Sequence, residues 1–202
     1  MKSKIVMFGL SAGFVLLAGC ASEPRYVDPA ADDGPVAMTA DYRDFDQAAR
    51  IAVEDLLASG VLPPSSDDPA IMVVSRITND TMQRIDTDQL VKKIRVALLR
   101  SGRVITTTAV GPNGGEDAMN RQARELRNDE EFDSSTVQKK GTLQAPDLSL
   151  SGKILQTNHK VGKEQQVEYY FQLSLTDLRR GLAIWENEVP IIKRGPNNSV
   201  AW

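Results

Sequence analysis

The sequence predicts an α+β domain, that is, a mixed β-sheet flanked by helices. Two observations support this prediction. Helical and strand-like apolar patterns alternate through the first half of the domain, and segments of period-2 alternation fill its last third. The 202 residues, 41% of them hydrophobic, suit one domain with a core of ordinary size. We expect the element order helix, strand, helix, strand, helix, strand, strand, strand.

The N-terminal residues predict an export signal and a lipid anchor. Lys2 and Lys4 precede an apolar run from Ile5 to Ala18, which is the layout of a secretory signal. The run ends in Leu17-Ala18-Gly19-Cys20, a tetrapeptide that resembles a bacterial lipobox, and Cys20 is the only cysteine of the chain. We therefore predict that residues 1–19 are a signal peptide and that Cys20 is lipidated.

Lipidation predicts a permanent membrane attachment. Three acyl chains bury many methylene groups, each of which contributes about 0.8 kcal/mol to membrane binding. Residue 21 is Ala, whereas an Asp at this position commonly retains enterobacterial lipoproteins in the inner membrane. By that analogy we expect the chain on the periplasmic face of the outer membrane.

Residues 20–40 predict the lipidated cysteine and a flexible linker. Residues 21–40 contain three prolines, a glycine and four acidic residues, and they show no periodic apolar stripe. This segment could span at most about 70 Å when extended, and as a coil it would reach about 25 Å. We place one globular domain at residues 41–195 and a C-terminal tail at residues 196–202.

The first half of the domain predicts two amphipathic helices, each followed by a strand. Asp44-Phe45-Asp46-Gln47 resembles a capping box with Asp44 as the N-cap, and Gly60 ends the first helix. The nearly continuous apolar run 71–77 is typical of a strand that is buried on both faces. The second helix starts with another capping-box pattern at Asp86, ends at Gly102, and precedes a β-branched strand at residues 103–109. Helical apolar spacing is carried by Phe45, Ala48, Ala49, Ala52 and Leu56, and then by Leu90, Ile94, Ala97 and Leu98.

The second half predicts one polar helix and three strands. Residues 116–132 form a helix with few apolar positions, after a loop at residues 111–115. A strand at residues 148–151 follows, and residues 167–176 then alternate cleanly between apolar and polar side chains, which predicts one buried and one wet face. The last strand, residues 182–192, contains Trp185, which is either a core anchor or an exposed contact. We favour the core.

Composition excludes several classes of function. The net charge of −3 is unsuited to nucleic-acid binding. One cysteine and one histidine, His159, exclude a cysteine-rich zinc site and leave little for triad chemistry. No nucleophile elbow or phosphate-binding loop is present in the sequence. We therefore expect a protein that is not an enzyme and has no cofactor, no metal and no small-molecule substrate.

The ordered set of these features resembles one family, the penicillin-binding protein activator lipoprotein LpoB. The resemblance runs from the lipobox through both amphipathic helices to Ala145-Pro146-Asp147-Leu148-Ser149-Leu150-Ser151-Gly152 and the terminal Gly181-Leu182-Ala183-Ile184-Trp185. It implies a globular domain that is similar to the N-terminal domain of TolB. It also implies an outer-membrane lipoprotein that binds a class A penicillin-binding protein at a small regulatory domain and activates its synthesis of peptidoglycan.

Candidate contact residues are expected on a loop and on a sheet face. The loop, which we call the candidate loop, comprises Asn79, Asp80, Thr81, Met82, Gln83 and Arg84, and its alternative role is that of a plain connection. Tyr169 shares the apolar face of its strand, so Tyr170 must point to the wetter face. Tyr170 is therefore either a contact residue or a cover for the sheet beneath a helix.

Two other functions remain open from the sequence. A structural or assembly lipoprotein of a flagellar or secretion complex would suit the short linker. An envelope hydrolase would require peptidoglycan cleavage that depends on one acidic residue. Copurification of a synthase rather than formation of homo-oligomeric rings would separate the activator from the assembly protein.

Overall fold

A computed structural model describes residues 23–64, 68–113, 115 and 117–196. The domain is the compact unit that begins at Pro35. Its helices are α1 (Tyr42–Ala58), α2 (Thr87–Arg100) and α3 (Ala118–Glu125), and a 3₁₀ turn, Leu126–Asn128, continues α3. Its strands are β1 (Ala70–Asp80), β2 (Val104–Thr106), β3 (Leu148–Val161), β4 (Glu164–Asp177) and β5 (Leu182–Pro196). The predicted α+β class and element order are confirmed.

The five strands form one mixed sheet in the order β2-β1-β3-β4-β5. β1 runs parallel to both β2 and β3, whereas β3, β4 and β5 form an antiparallel meander. β5 is a long edge strand, and its Pro190 and alternating charged side chains disfavour pairing with another strand. The outer edge of the meander is therefore protected against strand pairing.

Helices α1 and α2 cover one face of the sheet. Phe45 of α1 packs edge-on against Phe171 of β4, with ring centroids 5.9 Å apart. Tyr169 is fully buried on the same face, and Trp185 is buried while its indole nitrogen donates to Asp55 of α1 at 2.8 Å. These positions confirm the predictions that Tyr169 and Trp185 belong to the core.

Helix α1 starts earlier than predicted. Its N-cap is Asp41, whose carboxylate accepts the backbone N–H of Arg43 at 2.9 Å. Asp44 is the third helical residue, and its carboxylate accepts the backbone N–H of Asp41 at 2.7 Å. The assignment of Asp44 as the N-cap is therefore wrong: its side chain closes the capping box from within the helix.

Several other elements differ from the prediction, in extent or in burial. β3 runs from Leu148 to Val161, whereas the predicted strand covers residues 148–151. The apolar run of β1 is buried on both faces only at residues 72–74, and beyond them burial alternates. β2 is an edge strand of three residues rather than seven. Helix α3 ends at Glu125 rather than near Phe132. It has no buried residue, so no packing stabilises a longer helix.

A buried ion pair joins the two ends of the domain. The ammonium group of Lys193 in β5 lies 2.5 Å from the carboxylate of Asp44, and both side chains are less than a tenth exposed. The same ammonium donates to the carbonyl oxygens of Ala37 at 2.9 Å and Thr39 at 2.7 Å. The last residues of the predicted linker therefore bind to the domain.

Candidate partner-binding surface

The structure divides the candidate loop into inward-facing and outward-facing residues. Asn79 and Asp80 are the last two residues of β1, and a bend follows them. The amide of Asn79 donates to the backbone carbonyl of Gln83 at 2.7 Å, and the Thr81 hydroxyl donates to the Asn79 side-chain oxygen, also at 2.7 Å. These bonds across the bend fix the shape of the loop.

Gln83 points into the domain. Its side-chain nitrogen donates to the Tyr169 hydroxyl, and its side-chain oxygen accepts the backbone N–H of Ala40 at 3.1 Å. The Tyr169 hydroxyl in turn donates to the carbonyl of Met38 at 3.2 Å. Burial raises the pKa of Tyr169, so its hydroxyl stays protonated and able to donate. Gln83 thus makes its hydrogen bonds within the domain.

Met82 and Arg84 point outward. The Met82 side chain is 66% exposed, and Arg84 is also exposed. Among the residues that the structure describes, none forms a hydrogen bond or ion pair with the Arg84 side chain. These two residues are the part of the candidate loop that a second molecule can contact.

The sheet face opposite the helices is accessible along the meander, and we call it the open face. On β4 it carries the half-buried Gln166, Glu168, Tyr170, Gln172 and Ser174. Helices α1 and α2 pack on the other face, so they do not cover Tyr170. In register, Tyr170 lies between Leu155 of β3 and Pro190 of β5, which form an apolar row across three strands.

Glu168 is the centre of a polar cluster beside that row. Its carboxylate accepts hydrogen bonds from Tyr170 at 2.6 Å, Gln166 at 2.6 Å and Thr157 at 3.1 Å. The Tyr170 hydrogen bond, followed by that of Gln166, holds the pKa of Glu168 below its usual range. His159 lies 3.8 Å from the same carboxylate. It is exposed and lies on β3. The cluster fixes the Tyr170 ring on the surface.

Asp80 and Tyr170 belong to the same face. Asp80 pairs in register with Leu155, which pairs with Tyr170, so the two residues are two strand spacings, or about 10 Å, apart. Asp80 also forms an ion pair with Lys153 of β3 at 2.6 Å. The structure thus brings Tyr170 and one end of the candidate loop onto one surface.

Several residues of this surface were not predicted as contacts. Leu155, Glu168, Pro190 and the 56% exposed Ile192 surround Tyr170. The alternation of β4 could have indicated Glu168, which shares its parity with Tyr170. The positions of Leu155 and Pro190 beside Tyr170 depend on the pairing register of the strands, which local sequence does not encode.

The remaining site predictions have no structural test. Cys20 lies outside the described residues. Among the described residues, no group of three or more His, Cys, Asp or Glu side chains could hold a metal ion. No helix in the described part of the chain is long and apolar enough to cross a membrane.

The fold and this surface define a class of protein: a single α+β domain whose sheet is covered by helices on one face and is accessible on the other. The family is shown by sequence. The family model of the peptidoglycan-synthase activator LpoB matches residues 44–191, which include α2, all but the first two residues of α1, and most of the meander. The chain belongs to the LpoB family, and the sequence-based assignment is confirmed.

Solved structures give more distant similarities. The C-terminal domain of LpoB from Escherichia coli is 12% identical, with a TM-score of 0.42 over 73% of this chain and 98% of that chain. The corresponding domain from Salmonella enterica is 14% identical with the same TM-score and coverage. A lipoprotein from Neisseria meningitidis is 16% identical, with a TM-score of 0.38 over 65% of this chain and 88% of that chain. A comparison with curated proteins found no match.

Proposed function

We propose that this chain is an outer-membrane lipoprotein that binds a class A penicillin-binding protein and activates its synthesis of peptidoglycan. The observation that carries the proposal is the match of residues 44–191 to a family of peptidoglycan-synthase activators. The lipobox at Cys20 supports the membrane anchor. On this proposal the chain is a regulator rather than an enzyme.

The open face and the outward side of the candidate loop are the proposed docking surface. Tyr170 offers an aromatic side chain that is already fixed by Glu168, so binding would cost little rotamer entropy. The apolar row through Leu155, Tyr170 and Pro190 offers a dry centre. Met82 and Arg84 would contact the partner at the rim of this surface.

Activation follows from differential contacts with the synthase. A regulator can shift a conformational equilibrium only by as much as its affinities for the two states differ. We propose that the docking surface binds the active arrangement of the synthase more tightly than the inactive one. The lipid anchor at Cys20 raises the effective concentration, and it limits activation to synthases within reach of the tether.

The test is glycan-strand synthesis by the class A synthases of the same organism, with and without the unlipidated chain 21–202. We expect one synthase to accelerate several-fold and the others to be unaffected. Tyr170→Ala and Arg84→Glu should each reduce that acceleration. Matched controls are Tyr26→Ala in the linker and Arg121→Glu on α3, because both side chains are highly exposed and lie outside the proposed surface.

Two results would contradict the proposal. If no synthase binds or responds to the wild-type chain, the activator function fails. Homo-oligomeric rings in sedimentation would then support the assembly lipoprotein. If a synthase responds equally to all four variants, the activator function stands and the docking surface lies elsewhere.

A further inference from the structure

Ala37–Ala40, which we call the strap, is the last part of the predicted linker and is bound to the domain. Lys193 donates to the carbonyls of Ala37 and Thr39, and the Tyr169 hydroxyl donates to the carbonyl of Met38. Met38 and Ala40 also pack against the hydrophobic core. Side chains of β4 and β5 thus hold consecutive carbonyl groups of the strap.

Gln83 binds the strap and the candidate loop together. Its side chain accepts the backbone N–H of Ala40 and donates to Tyr169. Its backbone carbonyl accepts a hydrogen bond from the Asn79 amide at 2.7 Å, and its backbone N–H donates to the Thr81 hydroxyl at 3.1 Å. Gln83 therefore forms hydrogen bonds with both the strap and the rest of the candidate loop, although it is 43 residues from Ala40 and 86 residues from Tyr169 in sequence.

We infer that the strap and the candidate loop form one cooperative unit, so that release of the strap changes the loop that presents Met82 and Arg84. When the strap leaves, Gln83 loses the Ala40 N–H, and the Tyr169 hydroxyl that it contacts loses the carbonyl of Met38. The bend between Asn79 and Gln83 then has fewer fixed bonds and samples more conformations.

This coupling would regulate the proposed function, and that part of the inference rests on the proposed function. The strap continues directly into the tether toward Cys20, so tension on the tether acts first on the strap. Release of its four residues would lengthen the tether by about 14 Å. Because coupling is reciprocal, a synthase that prefers the ordered loop would hold the strap in place by the same factor. Activation would then depend on the distance between the membrane and the synthase.

The alternative is that the strap is only an N-terminal arm that adds stability. Both interpretations predict that the strap loosens when its contacts are removed. They differ at the loop, since an independent arm can leave without changing Gln83.

Amide hydrogen exchange on the unlipidated chain 21–202 distinguishes the two interpretations without any synthase. Met38→Ala removes a side chain that packs the strap against the core, and it leaves the hydrogen bonds of Gln83 and Tyr169 in place. We expect exchange of the Ala40 amide and of the Gln83 amide to accelerate together by about five- to tenfold, the change expected from partial loss of apolar burial. Met119→Ala on α3 is the matched control, because Met119 is 61% exposed, and it should change neither amide.

Gln83→Ala cuts the connection between the candidate loop and the strap directly. It should accelerate exchange at Ala40, while the Ile154 amide in the middle of β3 stays unchanged. If the Gln83 amide is unaffected in Met38→Ala, or the Ala40 amide is unaffected in Gln83→Ala, the inference is wrong.

Affinity for the synthase separates this inference from the proposed function. If the wild-type chain binds no synthase, the proposed function fails, while the exchange result still decides whether strap and loop are coupled. If the wild type binds and Met38→Ala binds equally well, the function stands and the regulatory part of the inference fails. A loss of affinity of about three- to tenfold in Met38→Ala would support it.

Discussion

Lys193→Met removes the ammonium group that pairs with Asp44 and keeps most of the aliphatic side chain. Asp44 would then be a buried carboxylate with one remaining hydrogen bond, from the backbone N–H of Asp41. The carbonyls of Ala37 and Thr39 would also lose their donor, but they lie near the surface, where water can replace it. The main cost is therefore the unpaired charge.

The structure gives the size of that cost. The two side chains are 6% and 7% exposed, so the pair is desolvated on both sides. Breaking a buried pair by removing one partner costs about 3–5 kcal/mol. A typical domain has a free energy of unfolding of about 5–15 kcal/mol. We expect Lys193→Met to lose about 4 kcal/mol near neutral pH.

The pH dependence of the variant identifies the charge as the cause. Burial raises the pKa of Asp44 even with Lys193 present, and removal of the ammonium group would raise it further. A carboxyl group whose pKa is raised on folding favours the folded state below its unfolded pKa, and this contribution is lost as the pH rises through the folded pKa. The deficit of Lys193→Met should therefore be smaller at about pH 5 than at about pH 7.5.

Urea unfolding followed by circular dichroism measures these free energies. The double variant Asp44→Asn/Lys193→Met keeps an acceptor for Asp41 and removes the buried charge. It should recover about 1–3 kcal/mol relative to Lys193→Met. The reasoning is refuted if Lys193→Met lies within about 1 kcal/mol of the wild type, or if the double variant is as unstable as the single one.

Three further predictions concern the sheet. Gly152→Ala would place a Cβ atom 2.5 Å from a backbone carbonyl oxygen of β4. It should cost about 1–3 kcal/mol and lower the melting temperature, and an unchanged melting temperature would contradict this packing. Trp185→Phe removes the donor to Asp55 and should lower the free energy of unfolding in urea by about 1–3 kcal/mol. As a control, adding Asp55→Ala to Trp185→Phe should cause no further loss. The Tyr170 hydrogen bond lowers the pKa of Glu168 in the folded state. The hydrogen bond therefore adds to the free energy of unfolding above the ordinary carboxyl pKa, and this contribution is lost as the pH falls through the lowered pKa of the folded state. Glu168→Gln should remove that part of the acid dependence, and an identical acid titration would exclude the assigned role.

The meander could be predicted from sequence because its periodicity reports burial directly. In β4 the apolar side chains face the helices and the polar ones face solvent, so the period of 2 is clean. The same alternation places Tyr169 in the core and Tyr170 on the opposite face. β2 and α3 were overextended, because polar residues of suitable propensity do not reveal where packing stops.

The start of α1 differs from the local prediction, which takes Asp44 as the N-cap. In the structure Asp41 is the N-cap, and Asp44 lies in the first turn, where its carboxylate binds Lys193 of β5. That contact joins residues 149 positions apart, so a local sequence window does not reveal it.

The same limit applies to Gln83, and it bears on how the domain could work. Its position between Met82 and Arg84 predicts that Gln83 is a contact residue. In the structure its side chain instead binds Tyr169 and the strap. Tyr169 and Tyr170 are adjacent on β4 and point to opposite faces. The strap contact and the centre of the proposed docking surface are therefore one residue apart on a rigid strand, and the candidate loop reaches both. The proposed coupling would need no long pathway through the core, because Gln83 of the candidate loop contacts the strap and Asp80 forms an ion pair with Lys153 on the open face.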